Sequence, residues 1–229
     1  MMSKDSVLIT LPVFNEAEFL ESVLFEMCRY VSPENILVVD DGSTDGTLEK
    51  AANGDWNVIS HTSNLGKGKA IQTAITYAIK SGYDWIVTLD GDGQHPPRYI
   101  PDFIRFIRGK SDADVIVGNR YDRYKKMPVM RIMSNGITSV IVSLCAGNQR
   151  IMDSQCGFRA LRLAAIPLQN LQQSGFQFES ELLIRIGKAG GRIYSLPIET
   201  VYGSERSSIR AVRDTLKFIG LIFNSFFWT

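Results

Sequence analysis

The chain has 229 residues, enough for one large domain or two small ones, and its 45% hydrophobic content is ample for a buried core. Lys and Arg number 25 against 24 Asp and Glu, and the resulting net charge of +1 gives no case for nucleic-acid binding. Cys28, Cys145 and Cys156 lack zinc-ligand or redox spacing and are expected to be reduced, buried thiols in a cytoplasmic setting. The polar start Met1–Asp5 carries no secretory-signal pattern, and no segment reaches the roughly twenty apolar residues that span a bilayer.

Val7–Val13 is apolar throughout, as expected of a strand buried on both faces. Asn15 is the expected N-cap of a helix that runs to about Arg29 and turns Phe19, Leu20, Val23, Leu24 and Met27 to one side. Ile36–Val39 predicts a second buried strand, Ser43-Thr44-Asp45 the start of another helix, and Trp56–Ser60 a third strand. Asn64–Ala70 is a glycine-rich turn into a helix that continues to about Lys80. Trp85–Leu89 predicts a fourth strand, Pro97–Ile107 a helix and Asp114–Gly118 a fifth strand. Strands alternating with helices predict an α/β fold, a mostly parallel sheet flanked by helices.

The pattern loosens after about residue 120. Tyr121–Val129 is a charged, loop-like stretch, and a helix is expected from about Met130 to Cys145. A turn near Asp153–Gly157, a short strand at Phe158–Leu161, a helix around Ser180–Ala189 and a strand near Ile193–Leu196 follow. A polar loop, Tyr202–Ser208, leads to a final helix. No internal repeat or low-complexity linker interrupts the chain. One domain over residues 1–229 is expected, with a nucleotide-binding half to about 120 and an acceptor-binding half from about 121.

Two acidic clusters carry the chemistry. Asp40-Asp41-Gly42-Ser43 and Asp90-Gly91-Asp92-Gly93-Gln94-His95 each begin where an apolar run ends, at the edge where open α/β sheets bind ligands. Asp90 and Asp92 bracket Gly91, so both can turn toward one hard cation, with Gln94 as a further oxygen ligand. A cation so held would grip a diphosphate and neutralise charge on it as it leaves. A sugar nucleotide is the natural diphosphate, and glycosyl transfer the natural reaction. Asp40 and Asp41 are candidates for the donor's base or ribose, and as adjacent carboxylates they need compensating partners. Lys67 and Lys69 flank Gly68 at a helix start whose backbone amides suit a phosphate, although the P-loop ending is absent.

Leu11-Pro12-Val13-Phe14-Asn15-Glu16, the Asp40 cluster, Leu65-Gly66-Lys67-Gly68 and Asp90–Pro96 resemble, in order and spacing, glycosyltransferase family 2 with its GT-A (Rossmann-like) fold. Within it the chain is most similar to the dolichyl-phosphate mannose synthase group of polyprenyl-phosphate glycosyltransferases. Asp153-Ser154-Gln155-Cys156-Gly157-Phe158-Arg159 resembles that group's Asp-x-x-Ser-Gly-Phe-Arg signature, with Cys156 in the place of serine, and Gly118–Tyr121 its Gly-Ser-Arg-Tyr. The resemblance implies that Pro12, Phe14, Glu16, Asp40, Asp41, Lys69, Asp90, Gly91 and Asp92 bind the nucleotide sugar. It implies that Asp90, Asp92 and Gln94 hold magnesium or manganese, and that Arg120, Arg131 and Arg206 steer the acceptor phosphate or the diphosphate. The loop Tyr202–Ser208 departs from the group's Arg-x-x-Gly-x-Ser-Lys, which leaves Arg206 its basic role.

The resemblance also implies inversion in one in-line displacement, with Asp92 and Asp153 as the residues expected in catalysis. A hydroxyl acceptor needs a general base; Asp153 is the first candidate, as a base or as an orienter of the acceptor, and Glu179 and Glu181 are weaker ones. A phosphate acceptor does not, because its second pKa of about 6 leaves an oxyanion at neutral pH. The expected reaction moves a hexose from GDP-mannose or UDP-glucose to a polyprenyl or dolichyl phosphate at the cytosolic membrane face. The alternatives are a saccharide or glycolipid hydroxyl as acceptor, or a non-catalytic nucleotide-sugar-binding subunit. The apolar tail Phe218–Trp228 is expected either to pack on the core or to lie in the membrane interface beside the helix near Ile132–Ala146, and it is compatible with a membrane-protein partner subunit.

Overall fold

Seven strands form one sheet in the order β3-β2-β1-β4-β6-β5-β7 in a computed structural model that describes residues 6–120, 129–175, 177–201 and 211–228, with the side chains of 129–131 and 211–214 excepted. The strands are β1 (Val7–Val13), β2 (Ile36–Asp40), β3 (Asn57–Ser60), β4 (Trp85–Thr88), β5 (Val115–Arg120), β6 (Arg159–Arg162) and β7 (Ile193–Ile198). The helices are α1 (Leu20–Met27), α2 (Thr47–Ala51), α3 (Lys67–Lys80), α4 (Ile100–Gly109), α5 (Val129–Cys145), α6 (Gln177–Lys188) and α7 (Ala211–Ser225). Every residue of β2 and β4 is buried, which is why both read as unbroken apolar runs rather than alternating ones. On α3, Ile71, Ala74, Ile75 and Ala78 recur at helical spacing and form the face buried against β1, β2 and β4.

Register brings the strand ends together. Val13 of β1 pairs with Asp40 of β2, Asp40 with Ser60 of β3, and Thr10 of β1 with Thr88 of β4, all in parallel. The segments that follow β1, β2 and β4 therefore share one edge of the sheet. Strand β6 runs antiparallel between β4 and β5, and pairs Arg159 with both Thr88 and Val117. Its beginning, not its end, reaches the edge where β4 finishes. Strand β7 is parallel to β5 and sets Ile198 beside Arg120.

Two expected helix starts move. Asn15 is not an N-cap: it takes a left-handed conformation (φ 57°), its side-chain Oδ1 accepts the Thr44 amide, and its own amide donates to Ser43 Oγ. Asparagine tolerates that conformation, and the two strand-end loops are clasped together by it. Helix α1 begins only at Leu20, without a side-chain cap. The helix expected from Ser43 is the short α2, ahead of which Asp45 accepts the amides of Ala17 and Thr47. Most of the charged stretch expected over Tyr121–Val129 and all of the loop Tyr202–Ser208 lie outside the described residues; Val129 opens α5.

Candidate active site

The acidic loop after β4 is the centre of the edge. Asp90 sits against the backbone of Gly157, where an added Cβ would lie 2.5 Å from Oδ2, and a Cβ on Gly91 would lie 2.6 Å from Val13 Cγ1. A side chain at either position would have to push its neighbour aside. Thr88 Oγ1 donates to the Gly157 carbonyl at 2.9 Å, so β4 and the loop before β6 are fixed to each other at this point. Asp92 Oδ1 accepts the Gln94 amide at 2.9 Å, and the Gln94 carbonyl accepts the Val201 amide at 3.0 Å. His95 is buried, with Nε2 3.7 Å from Asp90 Oδ2 and Nδ1 without a hydrogen-bond partner.

A cluster of opposite charges surrounds Asp90. Lys67 Nζ lies 2.6 Å from Asp90 Oδ1 and 3.3 Å from Glu179 Oε2, while Arg159 Nη2 lies 3.3 Å from Glu179 Oε1. Burial disfavours the charge on Asp90, but the Lys67 ammonium and His95 outweigh it and hold the carboxyl far below the usual range. Burial likewise works against Lys67, and Asp90 with Glu179 overrules it and raises the ammonium above the ordinary lysine value. Asp92 moves the other way: burial first, and the Asp90 charge second, push its carboxyl up.

These residues fit a divalent cation. Two carboxylates bracket a glycine at the end of a buried strand, and their oxygens suit a hard ion. The Asp90 side chain keeps a quarter of its surface open, so a ligand can reach it. Among the described residues no group of three or more His, Cys, Asp or Glu stands ready to hold a metal, so phosphate oxygens of a ligand would have to complete the coordination.

The other site residues expected from sequence fall into distinct settings. Pro12 lies in β1, Phe14 just beyond it is exposed, and the Glu16 amide donates to Thr47 Oγ1. Asp40 and Asp41 find the partners that adjacent carboxylates require. Asp40 accepts from the Ser43 amide and the Ser60 hydroxyl. Asp41 turns away into the neighbouring loop, where it meets His61 Nδ1 at 2.7 Å and accepts the amides of Leu65 (3.0 Å) and Gly66 (2.7 Å). Asp41 thus anchors the glycine-rich turn.

That turn also corrects the expectation for the start of α3. The Lys69 amide donates to the carbonyls of Gly66 and Ser174, so three of the amides expected to cradle a phosphate are already taken by protein groups. Lys69 is exposed, and it is Lys67 that reaches the acidic pair. Lys67, Glu179 and Arg159 form a set that sequence reasoning did not assemble. Glu179 and Glu181 open the same helix, but Glu181 accepts the amides of Gln172 and Gln173 and pairs with Arg185. Only Glu179 faces the cluster.

Asp153 departs most from expectation. It is fully buried, and its two oxygens take a bidentate pair of hydrogen bonds from Arg120, Nε at 2.7 Å and Nη2 at 2.9 Å. A carboxylate held in this way has both oxygens committed to fixing Arg120, which counts against the base role expected for it. By the same contact Arg120 is neutralised and nearly buried, which weakens its case as an acceptor-phosphate ligand. Arg131 lies in α5 without a described side chain, and Arg206 is outside the described residues. Cys156, in the place of the signature serine, is buried, and burial pushes its thiol up to about 12.

A model of glycosyl transferase family 2 matches residues 8–166. The chain belongs to glycosyl transferase family 2. Among its relatives, the undecaprenyl-phosphate mannosyltransferase of Micrococcus luteus is 31% identical over 212 residues, covering 85% of this chain and 83% of the relative. The UDP-N-acetylglucosamine–dolichyl-phosphate N-acetylglucosaminyltransferase of Methanococcus voltae is 30% identical over 223 residues, 88% of each. A crystal structure of glucosyl-3-phosphoglycerate synthase from Mycobacterium tuberculosis, with Mn2+, uridine diphosphate and phosphoglyceric acid, superposes with a TM-score of 0.77 at 17% identity, over 96% of this chain and 78% of that one. This family 2 enzyme therefore has the GT-A fold and is a glycosyltransferase.

Proposed function

We propose that this chain is a metal-dependent inverting transferase that moves a hexose from a nucleotide sugar, GDP-mannose or UDP-glucose, to a polyprenyl or dolichyl phosphate at the cytosolic face of a membrane. The observation that carries the reading is the Asp90–Asp92 pair at the end of β4, with Lys67 beside it. The names of the Micrococcus and Methanococcus relatives support the lipid phosphate, and the Mn2+ and uridine diphosphate in the mycobacterial structure support the donor and the metal.

Magnesium or manganese held by Asp90 and Asp92, with Gln94 close by, would neutralise charge on the departing diphosphate. Pro12, Phe14, Glu16 and Asp40 line the donor's base and ribose, Gly91 lets the acidic loop lie close to β1, and Lys69 extends the positive edge. Asp41 fixes the turn that aims Lys67. Asp153 keeps Arg120 straight and takes no proton. The acceptor brings its own negative charge, for which Arg131 and Arg206 are the basic residues we assign, while Arg120 stays engaged with Asp153. A phosphate oxyanion needs no deprotonation, which agrees with the engagement of Asp153.

The membrane reading rests on two helices. In α5, Ser139 and Ser143 point inward, where the Ser139 hydroxyl accepts the Ser154 amide and the Ser143 hydroxyl accepts the Ile151 amide. Met133, Ile137, Val140 and Leu144 are left exposed. In and after α7, Leu221 is buried, Phe218, Ile222 and Trp228 pack on the core, and Leu216, Ile219, Phe223, Phe226 and Phe227 are exposed. No charged residue lies between 132 and 149 or after Lys217. A bilayer surface is the partner we assign to this face, with a membrane-protein subunit as the alternative that vesicle binding would exclude. No helix among the described residues is long and apolar enough to cross a membrane.

The test is release of nucleoside diphosphate from a panel of nucleotide sugars, with and without a short polyprenyl phosphate, in Mn2+ or EDTA. Release that requires both the lipid phosphate and the metal is expected and names the donor. Release that ignores the lipid phosphate but responds to a saccharide would overturn the acceptor.

A further inference from the structure

The carboxylate that would take a metal ion already has a cation. Lys67 Nζ is 2.6 Å from Asp90 Oδ1, the distance of a direct charged hydrogen bond, and its side chain is four-fifths buried. A divalent ion on the same oxygen would stand within a few ångströms of the ammonium, and the two positive charges would repel in a partly dry site. One must yield.

The backbone under Lys67 is not free to move. Asp41 holds the amides of Leu65 and Gly66, and Ser174 accepts the Lys69 amide. A Cβ on Gly66 would lie 2.6 Å from the Ser174 carbonyl oxygen, and one on Gly68 2.5 Å from Phe178 Cβ. The start of α3 is therefore locked to the start of α6, and only the flexible lysine stem can shift. A second acceptor is within reach: Glu179 Oε2 lies 3.3 Å from the ammonium, and Arg159 pins that carboxylate from the other side.

We propose that Lys67 is the resident counter-ion of the metal site, bound to Asp90 in the metal-free protein and displaced toward Glu179 and the donor diphosphate when a divalent cation arrives. This rests on the reading of Asp90 and Asp92 as metal ligands. Its consequence is order. The metal alone must expel an ammonium and binds weakly; metal and nucleoside diphosphate together give the expelled ammonium a new anionic partner and bind tightly. Lys67 is a positioning residue that couples the two ligands, and it keeps the acidic pair from collecting free metal.

The experiment is a Mn2+ titration followed by electron paramagnetic resonance, without nucleotide and with uridine or guanosine diphosphate, on wild type and Lys67→Met. The variant should bind Mn2+ tighter without nucleotide and lose most of the enhancement that nucleotide gives the wild type, each by a factor in the roughly 5–150-fold range of site-to-site couplings. Equal or weaker Mn2+ binding by Lys67→Met without nucleotide would overturn the inference while leaving the metal reading intact. No Mn2+ binding by the wild type under any condition would overturn both. A second measurement needs only a folded wild type. The Lys67 side-chain ammonium, followed by 15N NMR and assigned by its loss in Lys67→Arg, should shift on addition of Mg2+. A resonance unmoved by saturating Mg2+ would also overturn it.

Discussion

Asp92 and Asp153 are both acids in motifs of the same chain, and their surroundings give them opposite tasks. Asp92 is pushed up by burial and by Asp90, a strain that an added cation would relieve. Asp92→Asn should lower kcat on the order of 10²–10³-fold, the usual cost of removing one transition-state electrostatic contact, with thermal stability kept or raised. Asp153 is neutralised by Arg120 at 2.7 Å, and Asp153→Asn would leave a buried guanidinium unpaired. It should cost about 3–5 kcal/mol in urea unfolding and leave the acid limb of the pH–rate profile in place. Loss of that limb at unchanged stability would restore Asp153 as a base. Gly157→Ala drives a Cβ to 2.5 Å from the Asp90 carboxylate and should weaken Mn2+ binding by the nucleotide-bound enzyme.

At the scale of elements, short acidic caps and apolar helix faces do separable work. Asp45 accepts amides from two loops ahead of α2; burial is the largest single influence and opposes its charge, but the bonds from Thr47 and Ala17 together prevail and lower its pKa. A depressed folded-state pKa contributes stability above the unfolded-state value and loses it as pH falls through the folded value. The stability gap between wild type and Asp45→Asn in urea should therefore be present near neutrality and close below about pH 4. A gap that widens in acid would contradict the assignment. Helices α5 and α7 carry the membrane reading. Ile137→Glu with Phe223→Glu should abolish co-sedimentation with anionic vesicles, since each lost apolar contact forfeits about 1.5–3 kcal/mol, while binding of nucleoside diphosphate stays the same. Retained vesicle binding would remove this face from the account. Lys188 Nζ donates to the carbonyls of Ser225 and Trp228, and Arg185 lies 3.7 Å from the Trp228 ring, so α7 is latched to α6 and the two substitutions leave that latch alone.

Across the whole molecule, the acidic strand ends were legible because they are local. Apolar runs end in Asp40 and Asp90, and strand alternation alone puts such ends on one edge. What hid was set by pairing at long range. The short run around β6 names no partner, yet its antiparallel place between β4 and β5 is what brings Gly157 to Asp90 and Arg159 to Glu179. Lys67 and Lys69 are equally basic in sequence; which one turns inward depends on the phase of α3, and that is fixed by Asp41 and Gly66 (φ 99°). Asp40 and Asp41 are likewise neighbours that turn to different partners. Glu179 became part of the site only when α6 packed against α3.

Transfer of a hexose to a lipid phosphate would leave a glycosyl phosphate ester, and that linkage is the product feature to measure. With donor labelled in the sugar and a polyprenyl phosphate as acceptor, label should pass into the organic phase and be freed as hexose by mild acid, as a glycosyl phosphate ester requires. Label that stays in a water-soluble saccharide, or in a lipid whose sugar resists mild acid, would contradict the account.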